Sequence, residues 1–157
     1  MPHDLNPFMR ETLQLSRESV AQGGGPFAAI IVRDGDVVAR AANSVTQDND
    51  PTAHAEVNAI RQACRTLNTF DLSGCTIFTS CEPCPMCLGA IYWARLDKVY
   101  YGNTKADAAA IGFDDAFIYQ ELNISPESRA IPMVNLLPDE AREAFRDWER
   151  KEDKISY

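Results

Sequence analysis

The stretch "CTIFTSCEPCPMCLGAIYWAR" (75–95) constrains this chain more than any other. "CTIFTS" reads as a short strand, and "CPMCLGAIYWAR" as an apolar helix that opens directly behind it. A strand running straight into a helix belongs to a layered α/β arrangement. The junction also concentrates chemistry, because Cys81, Cys84 and Cys87 fall within seven positions of a chain that has five cysteines and two histidines. Cys84 and Cys87 are spaced i and i+3 on a helix that begins at or beside Pro83. Both sulfurs therefore share one face of the first turn, where the helix dipole and free N–H groups favour thiolates. Cys81 lies across Pro83 and reads as a turn or core thiol; as a fourth ligand it would close a structural shell. Cys64, on an apolar helix stripe, and Cys75, at a strand start, read as core.

The rest of the chain supplies the other layers. Asn6-Pro7 predicts a helix N-cap and N1 proline, followed at helical spacing by Met9, Leu13, Ser16 and Val20. "GGG" at 23–25 ends that helix, and no Lys-Ser/Thr follows to make it a phosphate loop. "PFAAIIV" reads as a strand buried on both faces, and "RDGD" (33–36) as the hairpin turn into "VVARAAN". Beyond "DNDPT" a helix is predicted with Val57, Ile60, Cys64 and Leu67 on one face. "KVYYG" reads as a further strand, and "IPMVNLL" as the last. A helix from Pro138 follows, with Ala141, Phe145 and Trp148 in register. The expected fold is a three-layer α/β/α domain over residues 1–157 with a mixed, five-stranded sheet.

Bulk properties narrow the partners. A formal net charge of −8 gives no attraction to phosphate backbones or anionic membranes, so nucleic acid and membrane partners are not expected. The start of the chain lacks a basic flank and apolar run, and "FAAIIV" is far too short to span a bilayer. An odd cysteine count with no export signal implies a reducing cytoplasm.

A metal held by Cys84 and Cys87 needs a third ligand, and His54, in "TAHAEV", is the only histidine away from the N-terminal tail. His54 and Glu56 stand at i and i+2, on opposite sides of a regular helix. They address one centre only from an open N-terminal turn, where His54 binds metal and Glu56 stands beside it without ligating. Three protein ligands and an open fourth position describe a catalytic zinc. The combination H-x-E…P-C-x-x-C is the signature of the zinc nucleobase deaminases.

On "HAEV" and "CEPCPMCLGAIYWAR" the chain resembles the cytidine-deaminase-like superfamily. On "GGPFAAIIV", "NDPTAHAEVNAIR", "GFDDAFIY" and the aromatic ending "DKISY" it resembles the bacterial guanine deaminases within it. The resemblance implies one Zn2+ per subunit carrying a water or hydroxide, with Glu56 as the catalytic proton shuttle in hydrolysis of guanine to xanthine and ammonia. It places Asn43 on the purine ring, Asp115 on the purine's donor edge and Tyr157 over the pocket, with Phe27 and Trp93 as candidate ring-packing walls. More ordinary roles stand beside these: a strand-end turn for Asn43, a frayed tail for Tyr157, and core packing for Phe27 and Trp93. The resemblance further implies a homodimer that exchanges residues 138–157 between subunits. Alternative activities are deamination of guanosine, cytosine, an aminotriazine or tRNA adenosine. A non-catalytic zinc-binding protein is also possible, although it would have no use for Glu56.

Overall fold

A computed structural model describes residues 4–157. Two compact units divide the chain, one ending at Asp115 and the other spanning Ala116–Tyr157. In the first, α1 (Asn6–Ala21), β1 (Ala28–Arg33), β2 (Asp36–Ala42), the short α2 (Val45–Asp48), α3 (Ala55–Leu67), β3 (Cys75–Cys81), α4 (Pro85–Trp93), β4 (Lys98–Asn103) and α5 (Lys105–Ala110) follow one another. The sheet order is β2-β1-β3-β4. β1 is antiparallel to β2 and β3, and β3 is parallel to β4, so the sheet is mixed.

Alternation along β1 builds the layers. Ala29 and Ile31 face a core with Ala55, Ala59 and Ala63 of α3, Ile91 of α4 and Ile77 of β3. Ile30 and Val32 face the other side with Phe78, packed by Leu5, Phe8, Met9 and Leu15 of the α1 segment. This is the expected α/β/α sandwich. The seam between α3 and the sheet is made of alanines, which bring helix and sheet close together. Ile60, Cys64 and Leu67 flank that seam half-buried. The hairpin joining β1 to β2 turns on Asp34 (φ 51°) and Gly35 (φ 82°). Two consecutive left-handed residues suit a two-residue turn whose twist matches the strands.

Two expectations about local structure are corrected. The first helix begins at Asn6 itself, with Leu5 at the cap position, and Asp4 Oδ1 accepts the Asn6 N–H at 3.0 Å. More consequentially, "IPMVNLL" (131–137) forms no strand, and the sheet has four strands among the described residues. Pro132 brings no N–H to a ladder, and Leu137 takes a left-handed φ of 51° at the start of the next helix. The segment lies in the C-terminal unit, which consists of α6 (Ala116–Leu122), a 3-10 turn at Pro126–Ser128 and α7 (Pro138–Arg150), and has no strand to pair with. Arg129 organises that unit locally: its Nε donates to the Glu121 carbonyl at 2.9 Å, and the Ala130 N–H donates to the Glu121 carboxylate at 2.7 Å.

Candidate metal centre

Two helix starts build the centre. His54 is the N-cap of α3, with extended backbone (φ −69°, ψ 154°). That extended residue breaks helical phase, which is how His54 and Glu56 come to address one point although they are two apart. Cys84 is likewise the extended N-cap of α4 (φ −68°, ψ 170°). The helix begins at Pro85, one residue past the Cys84 that opens "CPMCLGAIYWAR", because Pro83 belongs to the β3–α4 turn and Pro85 takes the first helical position. The Cys87 N–H donates to Cys84 Sγ at 3.5 Å, so the cap is itself a candidate ligand.

His54 Nδ1 lies 3.5 Å from Cys84 Sγ and 3.4 Å from Cys87 Sγ. The donor atoms of all three residues fall within 4.8 Å of one another. Tetrahedral zinc, with Zn–S of about 2.3 Å and Zn–N of about 2.0–2.1 Å, separates sulfur and nitrogen by roughly 3.5 Å. The donor set therefore fits zinc. Cys81 is not part of this group: it ends β3, buried, and its Sγ lies 3.7 Å from the Thr104 carbonyl. Burial and the nearby Glu56 charge push its thiol up to about 11.

Electrostatics in the centre follow from sulfur sharing a proton. A hydrogen bond from Cys87, then one from His54, lowers Cys84 to about 4 against the cost of burial. Cys87 is pushed up because it holds the proton facing that thiolate. A bound dication replaces that proton and favours both thiolates. Glu56 is buried, with only 8% of its surface exposed, and burial pushes its carboxyl up from the ordinary carboxylate range. A carboxyl that readily holds and releases a proton is what a general acid and base requires.

The remaining candidates are placed as follows. Asn43 directly follows β2; its N–H donates to the Phe27 carbonyl at 3.0 Å, and its Oδ1 accepts the Val45 N–H at 3.1 Å. This is the turn role its position predicts, and it uses the amide's oxygen rather than its Nδ2 donor. Phe27 is half-buried and meets Phe113 edge to face, with ring centroids 4.9 Å apart at 88°. Asp115 is half-buried. Desolvation raises its carboxyl, and the Cys84 charge adds to that rise, which places it within electrostatic reach of the centre. Trp93 is 69% exposed at the end of α4, so core packing is overturned for it. Cys87 and Ile91, four apart, form the buried face of that helix, and Trp93 falls outside it. It also ends the helix that Cys84 caps, which puts about 13–14 Å of helix axis between them. Tyr157 is exposed in the C-terminal unit.

A profile of the family described as the cytidine and deoxycytidylate deaminase zinc-binding region matches residues 2–103. The chain belongs to this deaminase family. Guanine deaminase of Bacillus subtilis (strain 168) is 49% identical to it over 96% of this chain and 97% of its own length. The crystal structure of guanine deaminase from Bacillus subtilis superimposes with a TM-score of 0.95 at 48% identity, covering 100% of this chain and 99% of that one. A tRNA-specific adenosine deaminase of Aquifex aeolicus is 43% identical over 60% of this chain and 62% of its own. The family binds zinc, and this deaminase carries a donor set that fits it. No helix among its described residues is long and apolar enough to cross a membrane.

One residue beside the deaminase centre escaped the sequence reading. Asn58 Nδ2 reaches the Ala42 carbonyl (3.0 Å), Ser44 Oγ (2.9 Å) and the Ala53 carbonyl (3.3 Å). The available signal was an asparagine inside a helix, a type that competes with helical hydrogen bonding and does better at caps.

Proposed function

We propose that this deaminase hydrolyses guanine to xanthine and ammonia at a zinc centre held by His54, Cys84 and Cys87. The observation that carries the reading is the buried Glu56 carboxyl beside a three-donor group that leaves one coordination position open. Similarity to guanine deaminase along nearly the whole chain supports guanine over the other substrates considered. When bound, zinc supplies Lewis-acid activation of a water, bringing its pKa toward neutrality. Glu56 takes one proton from that water and delivers it to the ring nitrogen beside C2, then takes the second from the new C2 hydroxyl and hands it to the amine, so that ammonia leaves as C2 becomes a carbonyl. Asp115 accepts from the purine's donor edge, Asn43 donates through Nδ2 to the ring, and the Phe27 face packs against the base.

The same reading makes the whole chain one deaminase domain acting as a homodimer. Residues 138–157 seat on the partner subunit and carry Tyr157 over its pocket. Trp93 then serves as a wall only across a subunit boundary. The net charge of −8 speaks against tRNA, whose phosphates would be repelled. Five free cysteines suit a cytoplasmic setting.

Ammonia release across guanine, guanosine, adenine, adenosine, cytosine and a tRNA adenosine substrate tests the assignment. Guanine is the expected preferred substrate, with Asp115→Ala raising KM or cutting kcat/KM for it while leaving stability close to wild type. Turnover of cytosine or tRNA adenosine with guanine ignored would refute it.

A further inference from the structure

We propose that Asn58 is a positioning residue that locks the Asn43 turn to the start of α3, setting the purine-binding amide relative to the metal and proton-shuttle residues. The deaminase centre has two halves that are separate in sequence. One is the end of β2, where Asn43 projects between Ala42 and Ser44; the other is the start of α3, where Ala53 precedes His54 and Glu56 follows it. A single side chain joins them. The Asn58 amide donates on one side to the Ala42 carbonyl and Ser44 Oγ, the residues either side of Asn43, and on the other to the Ala53 carbonyl. The amide has two hydrogens, so the longest contact, to Ala53, is a shared one.

Neighbouring bonds make this a closed unit. The Ser44 N–H donates to the same Ala53 carbonyl at 2.9 Å, and the Ser44 hydroxyl donates to Asp48 Oδ2 at 2.6 Å. Asn43 Oδ1 is committed to the Val45 N–H. The direction of the Asn43 Nδ2 donor is thus set by its turn, and the turn is held against α3 by Asn58. The Asn58 backbone is itself in the helix, donating to the His54 carbonyl at 2.9 Å, so the brace stands on the element that carries His54. Asn58 touches no reacting atom in this scheme; it acts through the placement of Asn43 and rests on the reading of Asn43 as a purine contact.

The test uses zinc-loaded full-length protein and two variants, Asn58→Ala and Asn58→Ser, the latter keeping one short donor should the alanine variant fold poorly. Amide hydrogen exchange should speed up at Ser44 and Val45, with the β1 and β3 amides unchanged. KM for guanine should rise by roughly 5–10-fold, about the weight of one net hydrogen bond, with kcat changing much less. The serine variant should fall between alanine and wild type. In an Asn43→Ala background the Asn58→Ala change should add little to KM, since its route of action is already gone. Unchanged exchange at Ser44 and Val45, or effects of the two changes that simply add, would overturn the proposal. Wild-type protein that ignores guanine while the exchange pattern appears as described would instead overturn the substrate reading and leave the brace standing.

Discussion

The two units of this deaminase handle apolar residues in opposite ways. Up to Asp115, the chain buries them: Ile30, Ile31, Leu72, Ile77 and Phe78 are all at or below 1% exposure. From Ala116 onward no helix has a buried residue, and Ile131, Val134, Leu136 and Phe145 are each more than three-quarters exposed. Hydrophobic content does not separate the two; geometry does. The first unit has a sheet with two faces, and each face receives a helix. The second has helices and no sheet, so its apolar side chains have no sheet face to share. Apolar residues in a sequence announce that a surface must be covered, but not which chain covers it.

That contrast can be broken or sharpened by experiment. The largest effect is expected from chemistry confined to the first unit. Glu56→Gln should cut turnover by about 10²–10⁴-fold while bound zinc and melting temperature stay near wild type. Steady-state rates alongside metal analysis check this, and full activity would remove Glu56 from the mechanism.

Next comes a paired comparison of buried and exposed rings. Phe78→Ala empties a site between the tilted Phe8 ring and the stacked Tyr100 ring and should cost about 3–5 kcal/mol in denaturant unfolding. Phe145→Ala should cost less than about 0.5 kcal/mol if its face is free, because surface changes rarely exceed that. In the proposed dimer Phe145→Ala should instead weaken association, which sedimentation at several concentrations will read. Equal losses of stability in a monomer would erase the distinction between the units.

A smaller effect is expected from the tail. Removing residues 153–157 should spare folding and zinc but lower kcat/KM for guanine, as loss of a pocket-closing aromatic would. Unchanged kcat/KM, or a monomer at working concentration, would argue against the closing role of Tyr157. Smallest of all should be Cys81→Ser: zinc content and activity are expected close to wild type. Loss of the metal from that variant would make Cys81 a fourth ligand and close the open position.

Much of the first unit was legible because its signals are local. The buried β1 run, the Asp34-Gly35 turn and the helix start at Pro138 act within a few residues of themselves, and their structures follow. Legibility ended where a residue's role depends on what stands opposite. "IPMVNLL" has strand-like composition, yet a strand needs a partner edge, and neither Pro132 nor the left-handed Leu137 can serve one. Trp93 has the bulk of a core residue, but the helix phase set by Cys87 and Ile91 turns it outward. Asn58 looked like an ordinary helical polar residue, and its three acceptors lie on segments 5 to 16 positions away.

By itself the sequence determined which atoms are available: one central histidine, a thiol pair at i and i+3, and a carboxylate two residues past the histidine. Those residue types and spacings already select a soft, three-donor metal chemistry with a free proton carrier. Tertiary structure alone decided that His54 and Cys84, thirty positions apart, bring Nδ1 and both sulfurs within 4.8 Å. It also decided that Cys81, three residues from Cys84, is excluded. The physical reason is that ligand distance is set by how two extended helix caps meet across the sheet end. Neither cap encodes that meeting, which comes from packing the alanine seam of α3 against β1 and the Ile91 face of α4 against the same core.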